Sequence, residues 1–437
     1  MLKLTIGLFG LMNKNKQIEL KVLSLFSGCG GMDLGFEGGF DVLYKSINTN
    51  IHPEWAINSK TNSAWIKLPK TIFKTVFAND IISAAKASWI PYFEKRGHNA
   101  SMFYRKSIVD LVKDHNKEAT LFPYADVVTG GFPCQDFSVA GKRNGFNSYK
   151  GHHGGLLKDV DNPSEENRGK LYMWMKRVIE IVQPKVFIAE NVKGLVSLAD
   201  AKEIIENDFR NIGSNYLLVD AKVLSAPCYG IPQSRERVFF IGFKIDKLKK
   251  EAFKELSATK ISDKYNPYPV QTHTTYGQFL FRQNALMPQV TVGDYLGDLP
   301  EPEETEDPSH QSYSKAKWYG THCQGQTEVN FDGIGPTIRS EHHGNIEFRR
   351  LSLEHGGKHF QELQKGLPER RLSVRECARL QTFPDDFEFV RKPSTLGKDY
   401  KLSASEGYKL VGNAVPPLLA FHIAWRLQEI WPLLFIK

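Results

Sequence analysis

The 437-residue chain has only five cysteines, and no two of them lie close together. Cys29, Cys134, Cys228, Cys323 and Cys377 are odd in number and include no C-x-x-C pair. That pattern argues against a disulfide framework or a zinc finger and points to a reducing cytoplasm. Long hydrophobic runs are missing too. The apolar start, Leu2 to Met12, falls well short of the roughly 20 residues of a membrane span, and no small-residue cleavage site follows it. It reads as an N-terminal extension, with Met12 an alternative start. Internal repeats and long low-complexity segments are absent. Charge of one sign is not strongly dominant: 57 Lys and Arg face 49 Asp and Glu, and the resulting +8 suits a polyanionic partner without requiring one. What remains is ordinary globular material, 41% hydrophobic, enough for a core and long enough for two domains, one interrupting the other.

Residues 20–26 (LKVLSLF) form a short apolar run rich in strand formers, broken by Ser27 and Gly28, and Met32–Phe36 then opens a helix. Similar runs recur at Thr75–Ala78, Asp126–Thr129, Val186–Ala189 and Val238–Phe243, with helical patterns at Leu171–Ile181 and Lys202–Ile212 between them. Strands alternating with helices predict an α/β fold, a doubly wound, mostly parallel sheet covered on both faces. The pattern changes after Lys247. Residues 257–320 carry many Pro, Tyr, Thr and Gln, and residues 321–369 are rich in Gly, His and Arg without a clear long helix. The organisation expected is a first domain over 18–248, a smaller irregular domain over 249–400, and a return to the first domain over 401–437 that includes a helix at Leu418–Trp431.

Four strand ends carry chemistry. Phe26-Ser27-Gly28-Cys29-Gly30-Gly31 lies between a strand and a helix, where glycines permit a tight turn and close approach of a ligand to the backbone. Asp80, after Val76-Phe77-Ala78-Asn79, is a carboxylate at the end of a second strand, placed to accept hydrogen bonds from both ribose hydroxyls of a nucleoside; a turn residue or helix N-cap is the plainer role for such an Asp. Gly130-Gly131-Phe132-Pro133-Cys134-Gln135 sets a cysteine on a constrained turn at the edge of the sheet, and its Gly, Pro and Gln neighbours make a buried filler a poor description. Glu190-Asn191-Val192 repeats the strand-then-carboxylate pattern. In Gln233-Ser234-Arg235-Glu236-Arg237 the alternation predicts Gln233, Arg235 and Arg237 on one face; a solvated strand edge is the plainer alternative.

Taken in order, FSGCGG, FANDI, GGFPCQ, ENV, Q-x-R-x-R, Arg371–Pro384 (RLSVRECARLQTFP) and Gly412–Pro416 (GNAVP) make the chain resemble the DNA (cytosine-5)-methyltransferase family from about residue 22 to 430. The resemblance implies a Rossmann-like fold, S-adenosylmethionine as methyl donor, and duplex DNA as substrate, with the target cytosine flipped out of the stack. It implies Cys134 as the thiolate that adds to C6 of cytosine, with Pro133 and Gln135 shaping its turn. Glu190 would hydrogen-bond N3 and the exocyclic amine, and Arg235 would hold O2. Because an ordinary thiol has a pKa near ~8.5, the site must promote thiolate formation. Donation to N3 requires a protonated Glu190, which burial favours. For the cofactor the resemblance implies Phe26, Gly28, Gly30, Asp80, Ile81, Pro133, Asn413 and Val415. The usual Gly-Asp pair that meets the adenine is replaced by Lys106-Ser107, leaving Asp110 as a substitute. Residues 41–74 look like an insertion, since about fifty residues separate the glycine loop from Asp80.

Residues 141–168, which follow Cys134, are Gly-, Lys- and His-rich without apolar period and read as a loop able to close over DNA; a plain linker is the alternative. Target recognition is expected between residues 246 and 369, most distinctively in Asp332–Asn345. Thr337, Arg339, His342 and Asn345 suit base-edge and phosphate contacts, Arg349 and Arg350 backbone neutralisation, and Ser138, Arg143, Gln233 and Arg237 further DNA contacts. His342-His343 and His355/His359 lack a flanking acidic or Cys ligand, so no metal is expected. The overall expectation is a cytoplasmic, bacterial-type modification enzyme without membrane contact, monomeric on DNA, with a paired restriction endonuclease encoded nearby. A tRNA cytosine methyltransferase and a catalytically dead DNA-binding regulator are the rival readings; Phe132 before Pro133, where the tRNA branch has a second proline, and the intact set of Cys134, Glu190 and Arg235 argue against them.

Overall fold

The computed structural model describes residues 18–56, 64–118, 121–133, 170–197, 200–213, 215–275, 285–340, 346–392 and 401–436. Among the described residues nine strands precede residue 245: β1 (Leu20–Leu25), β2 (Asp41–Leu43), β3 (Trp65–Lys67), β4 (Phe73–Asn79), β5 (Phe103–Tyr104), β6 (Val127–Gly131), β7 (Val186–Val192), β8 (Tyr216–Ser225) and β9 (Glu236–Lys244). Between them run α1 (Gly31–Glu37), α2 (Ser83–Lys95), α3 (Ile108–Glu118), α4 (Leu171–Val182) and α5 (Ala201–Arg210). Seven of these strands form one sheet in the order β5-β4-β1-β6-β7-β9-β8. Only β9 runs against its neighbours. The five strand windows read from the sequence are all strands of this sheet. β5 and β8 were not among them, and neither was α2, whose interior Pro91 obscures a helical pattern.

Residues along each strand alternate between two apolar clusters, the period-two signature of a sheet covered on both faces. Val22, Val127, Ile188 and Phe239 face α1 and the C-terminal helix. Leu23, Val128, Phe187 and Phe240 face α3, α4 and α5. The chain winds outward from β1 to β4 and β5, then crosses back to β6 and β7. The loops after β1 and β6 therefore diverge, and a crevice opens at the C-terminal strand ends where the order reverses.

The segment read as an insertion contains a small antiparallel pair, β2 with β3, and between these strands a buried Trp55 packed edge-on against Phe421, His422 and Trp425. Beyond residue 248 regular structure is sparse, as the composition predicts. The elements there include β10 (Phe348–Arg350), β11 (Arg370–Arg371), α6 (Val374–Leu380), α7 (Ala404–Asn413) and α8 (Pro417–Leu434). Val292, Tyr295, Leu372, Val374 and Phe383 join the same apolar cluster as α1 and α8, so this segment lies against one face of the sheet. No helix among the described residues is long and apolar enough to cross a membrane.

Ion pairs hold much of the irregular segment. Arg350, fully buried, donates to Glu301 at 3.2 and 3.1 Å and to Glu362 at 2.6 Å. Arg370 donates to Glu301 at 2.8 Å and to both oxygens of Glu376 at 2.8 and 3.0 Å. Glu376 also accepts from the backbone N–H of Ser373, whose hydroxyl caps α6 in return. Removing one partner of such a pair strands the other charge in low dielectric. Glu376→Ala is accordingly expected to cost about 3–5 kcal/mol in urea denaturation. Burial raises the Glu301 pKa, but Arg370 and Arg350 outweigh it and hold the carboxyl at about 2, below its ordinary 4.5. A depressed folded-state pKa gives stability that is present above the ordinary value and lost as pH falls toward about 2. The thermal midpoint should drop across that window, and Glu301→Gln should flatten the drop.

Candidate active site

The crevice at the sheet's reversal is a cavity of about 800 Å³, within the range of small-molecule sites. The loop after β1 forms one wall. Phe26 sits at φ 52°, rare for a residue with a side chain, and Gly28 at φ 57° turns its backbone to the open space. The second wall is the end of β4. Asp80 is buried, its Oδ2 accepts from Gly28 N–H at 2.9 Å, and its Oδ1 accepts from Ile82 N–H at 2.9 Å. Burial pushes its pKa up against those hydrogen bonds. Each carboxylate oxygen has a second lone pair, so the group can still accept from a diol. Ile81, Ser107 and Ile108 extend this wall.

The opposite end of the cavity is acidic and basic together. Glu190, on β7, is 7% exposed and its Oε1 pairs with Arg237 Nε at 2.9 Å. Burial raises the Glu190 pKa, and the neighbouring Arg237 and then Arg235 oppose the rise. Asn191, next on the strand, donates its side-chain N–H to Phe132 O at 3.2 Å and so holds the turn that leads through Pro133. Asn413 and Val415 close the cavity from the C-terminal return, and Thr337 and Arg339 reach its rim. Arg339 is also paired with Glu347 at 3.1 Å.

The structure thus brings Phe26, Gly28, Asp80, Ile81, Pro133, Glu190, Arg237, Thr337, Arg339, Asn413 and Val415 to one cavity. Cys134, Gln135, Ser138, Arg143, His342 and Asn345 lie outside the described residues, as does the loop 141–168. Five expectations are corrected. Gly30 does not line the cavity; its left-handed φ of 90° and the rings of Phe93 and Trp89, which a Cβ there would meet, both call for glycine. Asp110 sits in the first turn of α3, and Ser107 and Ile108 face the cavity in its stead. Gln233 is fully buried, bonded to Leu380 O, Gln381 and Ile338 N–H, which leaves no access to DNA. Arg349 and Arg350 are buried in ion pairs with Glu362 and Glu301.

The fifth correction concerns Arg235. Its guanidinium is fully buried and donates to Ile338 O at 3.1 Å, Gly412 O at 2.9 Å and Ala414 O at 2.7 Å. Alternation fails here because residues 231–235 are not extended. Gln233 N–H reaches Ile231 O, and Arg235 N–H reaches Gln233 O, both at 2.8 Å, and such tight turns rotate successive side chains. Arg237, inside β9, is therefore the cation beside Glu190. Lys193 and Gln324 also line the cavity, and nothing in their spacing marks them. Arg235→Ala should lower the thermal midpoint by several degrees, since it removes the charged donor from the buried carbonyls of Ile338 and Gly412 and one of two donors from Ala414 O, whereas Arg237→Ala should leave it within about two degrees; differential scanning fluorimetry separates the two.

The family model described as C-5 cytosine-specific DNA methylase matches residues 20–429. The Type II methyltransferase M.BspRI of Lysinibacillus sphaericus is 32% identical over 429 residues, covering 95% of this chain and 82% of that one. M.BsuRI of Bacillus subtilis is 30% identical, over 96% of this chain and 81% of that one. In fold alone, the chain is similar to a protein described as a DNA modification methyltransferase encoded within an E. coli prophage, at TM-score 0.52 and 20% identity, covering 95% and 99% of the two chains. An enzyme that passes a methyl group to carbon 5 of cytosine in DNA accounts for both the cavity and these likenesses, and the chain belongs to the C-5 cytosine-specific DNA methylase family.

Proposed function

We propose that the chain methylates a cytosine within a short duplex DNA sequence through a covalent bond between Cys134 and C6 of the flipped-out base, with S-adenosylmethionine as donor. The observation that carries this reading is the convergence of the β1 loop, Asp80, Pro133, Glu190, Arg237 and Asn413 on one cavity. Carbon 5 of cytosine is a poor nucleophile, and addition of a thiolate to C6 makes the ring enamine-like. Cys29, Cys228 and Cys377 are buried, and burial pushes all three thiols above their ordinary range, so they stay neutral and inert. Cys323 is exposed and does not line the cavity, whereas Cys134 directly follows Pro133, which does, and so takes the nucleophile's role.

Glu190 in its protonated form donates to N3 and accepts from the exocyclic amine, and its burial supports that form. Arg237, replacing Arg235 in this role, holds the base's O2 beside it. S-adenosylmethionine supplies an electrophilic methyl group on a sulfonium. Asp80 suits its ribose hydroxyls, and the backbone of the β1 loop suits its polar methionine end. Carbon 5 takes the methyl group, the C5 proton then leaves to a base, and release of the Cys134 thiolate restores the ring. Residues 249–400 form the target-recognition region in this reading, with Thr337 and Arg339 at the cavity rim among its DNA contacts. Likeness to Type II methyltransferases supports a paired restriction endonuclease; monomeric action on DNA in the cytoplasm completes the reading.

Duplex DNA carrying 5-fluorocytosine should trap the wild-type chain as an adduct stable to denaturing gels, because fluorine cannot leave as a proton does. Cys134→Ser should abolish both the adduct and methyl transfer; methylation unchanged in that variant, with no adduct in wild type, would sink the reading. Side-by-side assays should show transfer to DNA and none to tRNA. Activity should decline as pH rises and Glu190 loses its proton, and Glu190→Gln, which retains an N–H donor but no acidic proton, should lose ~10²–10⁴-fold in kcat while still binding DNA.

A further inference from the structure

We propose that Gly131 is a positioning residue for Glu190, glycine being required there so that the carboxyl group can occupy its place in the cavity. The inference rests on the reading of Glu190 as the group that meets the base. Gly131 ends β6 and is paired in register with Glu190 on the parallel strand β7. A Cβ built on residue 131 would lie 2.8 Å from Glu190 Oε2 and 4.0 Å from its Cδ; chain neighbours aside, no other atom of the described residues comes within 4 Å.

The usual reasons for glycine do not apply. Gly131 is not among the glycines with positive φ, and it forms regular strand pairs, so its backbone conformation suits any residue. No helix or neighbouring backbone crosses it closely, in contrast to Gly242, where a Cβ would strike the Phe187 ring at 2.1 Å. Among the described residues only the carboxyl group claims the space.

That carboxyl cannot simply swing aside without consequence. Its Oε1 is held by Arg237 Nε at 2.9 Å, and its other oxygen lies over Gly131. A methyl group at 131 would push the end of a long side chain, which costs the fold little, but it would move the acid by the fraction of an ångström to an ångström that positions a catalytic group. The signature is a loss of function without a loss of stability. A glycine kept for packing or turn geometry would show the opposite.

The test compares wild type, Gly131→Ala, Glu190→Asp, Glu190→Gln and the double variant Gly131→Ala/Glu190→Asp, using plasmid DNA from a methylation-free host and radiolabelled S-adenosylmethionine. Gly131→Ala should melt within about two degrees of wild type, bind S-adenosylmethionine with unchanged affinity, and lose roughly 10²-fold in kcat. Its pH–activity profile should shift relative to wild type, because the acid's surroundings change. Shortening the side chain withdraws the carboxyl from the new methyl group, so the double variant should be no slower than Glu190→Asp alone. Wild-type kcat in Gly131→Ala would overturn the proposal. So would a fall in melting temperature large enough to account for the lost activity, or losses that multiply in the double variant. If Glu190→Gln is itself fully active, the role of Glu190 fails; if Glu190→Gln is slow and Gly131→Ala is not, only the present inference fails.

Discussion

A guanidinium that is wholly buried must find acceptors, and the acceptors of Arg235 come from chain segments more than a hundred residues away. Ile338 O belongs to the irregular segment, and Gly412 O and Ala414 O belong to the C-terminal return. One side chain at the entrance to β9 thereby joins three parts of the chain around the cavity. Each bond is charge-assisted, and the alternative is a charge without partners in low dielectric. This tie, with the Gln233–Ile338 and Gln381–Ala414 hydrogen bonds beside it, holds Asn413 and Val415 at one end of the cavity and Thr337 and Arg339 at its rim.

The next strand position after the tie but one is Arg237, which faces Glu190. The two arginines of one short stretch thus divide the work. Arg235 fixes the frame, and Arg237 sets the electrostatics of the carboxyl group. Glu190 is pulled in two directions: burial favours the proton, while the adjacent cation favours the charge. A carboxyl group in that balance can change protonation when a base arrives and replaces the cation's hydrogen bonds. Asn191 and Gly131 complete the arrangement from below, the first by holding the turn at Phe132, the second by leaving room.

The irregular segment relies on ion pairs where the sheet relies on apolar alternation. Arg349, Arg350 and Arg370 with Glu301, Glu362 and Glu376 form a connected, largely buried set. In a stretch with few long helices, such pairs specify one packing because any other would separate charges at high cost. Arg349 and Arg350 look, in the sequence, like a polyanion-binding patch. Glu301, which pairs with Arg350 and Arg370 from 49 and 69 positions away, is invisible to local composition.

The parallel sheet, its five central strand windows, the glycine loop, Asp80, Glu190 and the motif order were legible in the sequence. Each depends on local spacing: period-two apolar runs, a turn residue at a strand end, a carboxylate just beyond it. Tertiary structure alone decided which arginine of Gln233–Arg237 meets Glu190, that Gln233, Arg349 and Arg350 serve the interior, and that Ser107 and Ile108 stand where Asp110 was expected. The reason is physical. A charged side chain's role is set by which partners surround it, and those partners are supplied by folding from distant parts of the chain. Tight turns at residues 231–235 broke the alternation that would otherwise have made the assignment from sequence.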